Sequence, residues 1–237
     1  SEILFGLAPM INSAGRIEHA NLAVKLLISN NSEELNRYSE NLFSLNQQRK
    51  KIESEIFNDA LNNIDYDLSA TVLCSNDWHK GVIGIVASKL IEKHYRPTIV
   101  FSEKDGLLTG SARSVKGFNI YDAIENCKDL CERFGGHKYA AGLTVKKENY
   151  ESFKSRFLSI VSKQITEDQM IQKIDIDLQL DLNKLDNKFY RILKQFSPFG
   201  PGNPKPVFKT QNLNLKSPPV LIGTDKKHVK FILNLKK

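Results

Sequence analysis

Along this chain the apolar positions change period twice, and each change marks a different kind of structure. At Leu35, Tyr38, Leu42, Leu45, Ile52 and Ile56 they recur in steps of three and four, with Arg49 filling the one skipped place. That spacing predicts a single helix over about residues 32–62. Asn31 stands where an N-cap belongs, Glu34 lies three residues on, and Glu33 adds negative charge to the first turn. At 1.5 Å per residue such a helix is roughly 45 Å long. This length reads as a connector between domains, with a coiled-coil seam as the competing reading. Ahead of it lie an apolar opening, a polar turn from Asn12 to Arg16, and a helix bearing Leu22, Val24, Leu27 and Ile28. The opening residues read as the interior of something larger, and the chain as a piece of it.

From Ala70 the pattern becomes α/β. "ATVLC" is a short buried-type strand, "GVIGIVASKLIEKH" a helix, and "RPTIVF" and "GLLTGSARS" two further strands. "NIYDAIENCKDLCERF" reads as an amphipathic helix ending at Gly135, followed by the strand "AAGLTV" and the helix "ENYESFKSRFLSIVSKQI". Such alternation predicts a mixed sheet flanked by helices. A second domain starts near Lys173. In "KIDIDLQLDL" apolar residues alternate with mostly acidic ones, the mark of a half-buried antiparallel strand. A short helix over Leu185 to Phe196, the breaker-rich "SPFGPGNPKP" and strands in "VFKTQNLNL", "PVLIG" and "HVKFILNL" complete it. Together they resemble a small barrel, one strand short of five.

The 237 residues, 41% hydrophobic and 26% charged, suit a globular protein with room for two small domains. No apolar run reaches the roughly 18 residues of a membrane span, and no signal-peptide pattern opens the chain. Three cysteines do not describe a disulfide framework, so a reducing, cytoplasmic setting is expected. Net charge is +7, and its placement is uneven. From Pro201 onward eight lysines (Lys205, Lys209, Lys216, Lys226, Lys227, Lys230, Lys236, Lys237) face one acid, Asp225. A basic surface of this kind attracts polyanions, although a solvated lysine face that binds nothing fits the charge equally well.

Two stretches carry candidate chemistry. In "GSARS", Ser111 and Arg113 are two apart on a strand and therefore share a face. A hydroxyl beside a guanidinium suits a phosphate; a solvated edge-strand arginine is the plainer reading. In "FGGHKYAAG", Gly135 and Gly136 stand directly before His137. One glycine would end a helix, and a second bares the backbone so that an anion can approach, with the imidazole placed to touch it. Trp78-His79 reads as a core wedge, and Cys127 and Cys131 as buried thiols. No Asp/His cluster, P-loop or dinucleotide fingerprint is present, and no metal ligand set is predicted.

Taken in order, "APMINSAGR", "NQQRKKIE", "WHKGVIGIVASKL", "GSARS", "FGGHKYAAG" and "PFGPGNPKPVF" resemble the RecJ family, single-stranded-DNA-specific 5′-to-3′ exonucleases of the DHH phosphoesterase superfamily. The resemblance implies an α/β DHH-associated domain preceded by a long connecting helix and followed by a partial all-β OB-fold barrel. The expected limits are 1–20 for the end of a DHH domain, 21–66 for the helices, 67–168 for the DHH-associated domain and 169–237 for the barrel. Two Mn²⁺ or Mg²⁺ ions would be held by a DHH domain outside this sequence, and the fragment alone would bind DNA without cutting it. Ser111 and Arg113 would hold the 5′-terminal phosphate. His137, on Gly135 and Gly136, would act at the scissile phosphate. Asn12 and Arg16 would touch the DNA backbone, and the barrel would grip single-stranded DNA through Lys205, Lys209 and stacking on Phe199 or Phe208. DNA repair and recombination, a monomeric state, and a helicase or single-strand-binding protein as further partner are also implied. Two alternatives stay open: a smaller relative acting on short oligonucleotides or nucleoside bisphosphates, and a non-catalytic nucleic-acid-binding module.

Overall fold

A computed structural model of the chain describes residues 3–200, 202–223 and 225–234. Lys236 and Lys237 of the basic tail lie outside them. Two compact units divide the chain, Ser1–Gln172 and Lys173–Lys237.

The first unit begins with α1 (Ala8–Ile17), α2 (Asn21–Ile28) and the 31-residue α3 (Ser32–Asn62). Asn31 caps α3 as its sequence predicts: the Oδ1 accepts from the amides of Glu33 at 2.9 Å and Glu34 at 3.2 Å. Leu42 and Leu45, on the first half of α3, pack with Ala14 and Ala23; Ile56 and Ala60, on the second, pack with Val82, Val86 and Leu90. The helix thus ties the N-terminal helices to the α/β part of the same unit. Arg49, which breaks the apolar seam, ion-pairs with Glu53, and Glu53 also receives Lys89. Only 6% of the Glu53 side chain is exposed, and a carboxylate so buried needs both cations to offset its lost hydration.

Five strands form the sheet: β1 (Thr71–Ser75), β2 (Thr98–Lys104), β3 (Leu107–Arg113), β4 (Cys131–His137) and β5 (Ala140–Lys146), in the order β1-β2-β3-β5-β4. The β1–β2 pair is parallel, which demands a crossover, supplied by α4 (Ile83–Lys93). All other neighbours are antiparallel. One face of the sheet presents Ile99, Phe101, Leu108, Ala112, Leu143 and Val145 to α5 (Ile120–Glu125) and α6 (Tyr150–Gln164). On the opposite face α4 covers β2 and β3, and β5 and β4 lie bare beside it, so that Gly135 and Gly142 face open space.

Three expectations change here. Residues 12–16 are not a turn but the body of α1. The predicted helix over "NIYDAIENCKDLCERF" stops at Glu125, and Cys131–His137 is the edge strand β4. Consequently Gly135 and Gly136 cap no helix. In the second unit "KIDIDLQLDL" keeps only β6 (Leu178–Gln179), with Ile174 and Ile176 exposed. Its neighbour is β7 (Phe208–Lys209), in parallel rather than antiparallel register. The helix α7 (Asn187–Gln195) lies between them, capped by Asp186, which accepts from the Phe189 amide at 2.7 Å. The other strands pair as β8 (Asn214–Leu215) with β11 (Leu233–Asn234) and β9 (Val220–Ile222) with β10 (His228–Lys230). Three two-stranded pieces make a partial barrel that does not close among the described residues.

Candidate nucleic-acid interface

Antiparallel register places three rows of residues across the bare part of the sheet. Arg113 pairs with Ala140, and Ala140 with His137; Ser111 pairs with Gly142, and Gly142 with Gly135; Thr109 pairs with Thr144, and Thr144 with Arg133. Directly opposed residues share a face. Ser111, Arg113, Gly142, Gly135 and His137 therefore stand on one surface, with Arg113 and His137 about 10 Å apart, two strand spacings. The residues between them are glycines or alanine, and a Cβ built on Gly135 or Gly142 meets nothing within 4 Å. The result is a floor of bare backbone with an arginine–serine pair on one side and an imidazole on the other.

The two adjacent glycines do different things. Gly135 is the open one. Gly136 points to the other side at φ +150°, where a Cβ would fall 2.6 Å from Ala141 Cα and closer still to the Ala140 carbonyl oxygen. The second glycine is thus demanded by the tight pairing of β4 on β5, and the first leaves room for a ligand.

Arg113 is fixed before any ligand arrives. Its Nη1 donates to Ser111 Oγ at 3.1 Å and to the Ala112 carbonyl at 2.8 Å. Gly84, at the start of α4, lets this pair lie against the helix: a Cβ there would be 3.0 Å from Ser111 Oγ and 3.1 Å from Arg113 Nη2. Arg16 approaches from α1. Its Nη1 donates to the Gly81 carbonyl at 3.2 Å, and its own carbonyl presses on Gly81 so closely that a Cβ would come 2.9 Å from the carbonyl carbon. Burial, and then the like charge of Arg16, depress the Arg113 guanidinium below its ordinary value, yet it stays cationic. Among the described residues neither arginine pairs with a carboxylate. Two like charges converge at the N-terminal end of α4 with no carboxylate paired to either among the described residues, which is the electrostatic form of an anion site.

His137 is exposed, and its Nδ1 accepts from the Tyr139 amide at 3.3 Å. An accepting Nδ1 leaves the ring proton on Nε2, which can donate to an oxygen on the glycine floor. Asn12 lies exposed on α1 one turn before Arg16. Trp78 is buried and donates from Nε1 to Asp59 at 2.8 Å, while His79 accepts from the Gly81 amide at 3.1 Å; both serve the fold. Cys127 and Cys131 are unpaired thiols pushed up to about 11, first by burial. No group of three His, Cys, Asp or Glu among the described residues is arranged to hold a metal ion.

The remaining predicted contacts belong to the second unit. Phe199 is half-buried, Lys205 exposed, and Lys209 exposed on β7. Phe208 stands edge-to-face with Phe189 at 5.6 Å, so its ring already has a partner. The sequence reading did not single out Gly84, Gly142 or Arg133, whose importance depends on which strands and helices lie beside them.

Comparison with known proteins follows the same division. The DHHA1 domain matches residues 67–163, and the RecJ OB domain matches residues 176–237. The single-stranded-DNA-specific exonuclease RecJ of Bacillus subtilis is 37% identical over 234 residues, 97% of this chain and 30% of that protein. Crystal structures of RecJ from Thermus thermophilus in complex with Mg²⁺ and with Mn²⁺ superpose with TM-scores of 0.86 and 0.85 at 29% and 28% identity. They cover 98% and 100% of this chain, which spans 36% of theirs.

Proposed function

This chain belongs to the RecJ family, and on that premise we propose that it is the DNA-holding part of a single-stranded-DNA-specific exonuclease that works from the 5′ end. The observation that carries the reading is Arg113: half-buried, locked onto Ser111, facing Arg16 and without a carboxylate partner among the described residues. A terminal phosphate brings the dianionic charge and several acceptor oxygens that such a pair lacks, and an internal phosphodiester brings less of both. Seating the end there lays the strand over Gly142 and Gly135 toward His137. The imidazole then donates from Nε2 to a non-bridging oxygen of the scissile phosphate, where negative charge grows in the transition state.

The divalent ions of the Thermus thermophilus structures find no fitting ligand set among the described residues here, so no step is assigned to metal. We infer that their ligands belong to the part of the relatives' length that this chain does not span. The second unit, matched to the RecJ OB domain, supports a strand longer than a dinucleotide as the substrate, gripped by Lys205, Lys209 and the ring of Phe199. Cytoplasmic location, to which three free cysteines are suited, is part of the same reading. So are a role in DNA repair and recombination, a monomeric state, and a helicase or single-strand-binding protein as partner.

The test is fluorescence anisotropy with one oligonucleotide carrying either a 5′-phosphate or a 5′-hydroxyl. The expected result is a preference of about tenfold for the phosphate, the scale of a hydrogen bond to a charged group, abolished in Arg113→Ala. Equal binding of both ends by the unaltered chain would overturn the assignment of the end pocket. Cleavage of the DNA by pure chain supplied with Mn²⁺ would overturn the placement of the metal ligands elsewhere.

A further inference from the structure

The bare sheet face continues past the glycine floor. Two residues farther along each strand, Thr109, Thr144 and Arg133 make the next row, and with Gly135 and Gly142 they line a cavity of about 280 Å³. Arg133 shares this face with Gly135 and His137 by strand alternation, and an irregularity ends the row there. The register of β4 on β5 shifts between Cys131 and Arg133, so that Cys131 opposes Val145 in the core and Arg133 opposes Thr144 on the open side. A β-bulge re-aims side chains in this manner.

The guanidinium is held at one corner and free at the other. Arg133 Nε donates to Thr144 Oγ1 at 3.1 Å, which orients the plane. Among the described residues its terminal nitrogens pair with no carboxylate. Thr144, only 5% exposed, serves here by accepting from Arg133 and fixing the direction of its guanidinium. The Thr109 hydroxyl stands on the same row across β5. Four residues of strand separate this row from His137, about 14 Å, so one anion cannot touch both.

We propose that Arg133, with Thr109 and Thr144, forms a second anion subsite that holds a phosphodiester of the same strand on the 3′ side of the bond facing His137. This rests on the proposed function, and it adds a grip that rewards strand length independently of the end pocket. It gives the α/β unit a hold of its own on the chain of nucleotides, apart from the barrel.

The experiment measures the affinity of the full chain for a long 5′-phosphorylated oligothymidylate and for the 5′-phosphorylated dinucleotide, over a series of salt concentrations. Arg133→Gln is expected to weaken the long strand at least about tenfold at low salt. It should also lower the salt slope by about 0.7, the loss of one phosphate contact on a single strand. The dinucleotide should bind as before. Arg113→Ala should weaken both probes, and Arg133→Lys should restore the slope, which a variant that merely unfolds would not do. A slope unchanged in Arg133→Gln, or one that Lys fails to restore, overturns the subsite while the effect of Arg113→Ala leaves the proposed function standing. Failure of the unaltered chain to bind either probe would overturn both.

Discussion

Changing each of two neighbouring glycines to alanine should give opposite phenotypes. At Gly136 the new methyl group would lie 2.6 Å from Ala141 Cα and closer to a carbonyl oxygen, and both are backbone atoms of a paired strand that cannot rotate away. The φ of +150° adds conformational strain for any residue with a Cβ. Overpacking of this kind costs about 1–3 kcal/mol and backbone strain about as much again, so about 3 kcal/mol is expected after the edge strand relaxes. In a unit of this size that lowers the thermal midpoint by roughly 6–12 °C. At Gly135 the methyl group meets nothing, and alanine in a strand is if anything about 0.5 kcal/mol better than glycine. Stability should be kept, and the methyl group would instead stand where the proposed phosphate would rest. Binding of 5′-phosphorylated single-stranded DNA should fall by about 1–2 kcal/mol, or five- to thirtyfold. Thermal unfolding and anisotropy on the two proteins decide the matter. A Gly136→Ala protein as stable as the parent would refute the close-approach argument. A Gly135→Ala protein that binds DNA normally would refute the floor.

Two further outcomes follow from buried charge. Glu53→Ala strands Arg49, whose side chain is 12% exposed, beside Lys89, and should cost about 3 kcal/mol in urea unfolding, the scale of a broken buried pair; a loss below about 1 kcal/mol would show the triad to be solvated. His94 is 6% exposed, with Nδ1 against Thr71 Oγ1 at 3.0 Å, the Tyr66 ring beside it and, among the described residues, no hydrogen-bond partner for Nε2. Burial, then the charge of Arg96, hold it below its usual 6.5, against the smaller opposing pull of the Tyr66 backbone and Asp65. The unfolded chain therefore binds the proton more readily, so this contribution is complete above pH 6.5 and drains away as pH falls toward the lower folded value. Urea midpoints at neutral and mildly acidic pH should differ in that direction, and the difference should shrink in His94→Gln; an unchanged difference would assign it to other groups.

Where sequence and structure agree, the signal was local. Asn31 and the two glutamates after it define the start of α3, and the alternation in "GSARS" places Ser111 and Arg113 together, because capping and strand pleat depend on neighbours within a few residues. The misread segment shows the opposite case. Ile120, Ala123, Ile124 and Cys127 have helical spacing, and Cys131 and Phe134 continue it in the sequence. They do so because the bulge turns two core-facing strand residues into a pair three apart, which mimics the period of a helix. Long-range partners were not legible either. Nothing local in the sequence announces that Gly84 lies on Arg113, that Arg16 clasps Gly81, or that Gly142 extends the floor begun by Gly135. The short alternating run at Ile174 and Ile176 has the pattern of a strand, but pairing needs a partner edge, and only Leu178–Gln179 finds one.

The position of β4 at the rim of the sheet has a consequence beyond ligand binding. An unpaired strand edge is a template on which a second protein molecule can add its own strand, and long flat edges are where aggregation begins. Here the edge must stay vacant if nucleic acid is to reach Gly135 and His137, so it cannot be hidden under a loop or a helix. It is guarded instead by its own irregularity: the shift of register after Cys131 breaks the regular spacing of donors and acceptors, and Glu132 and Arg133 put charge beside it. The features that would admit a polyanion along this rim, on the proposed reading, are the ones that deny it to another β-strand.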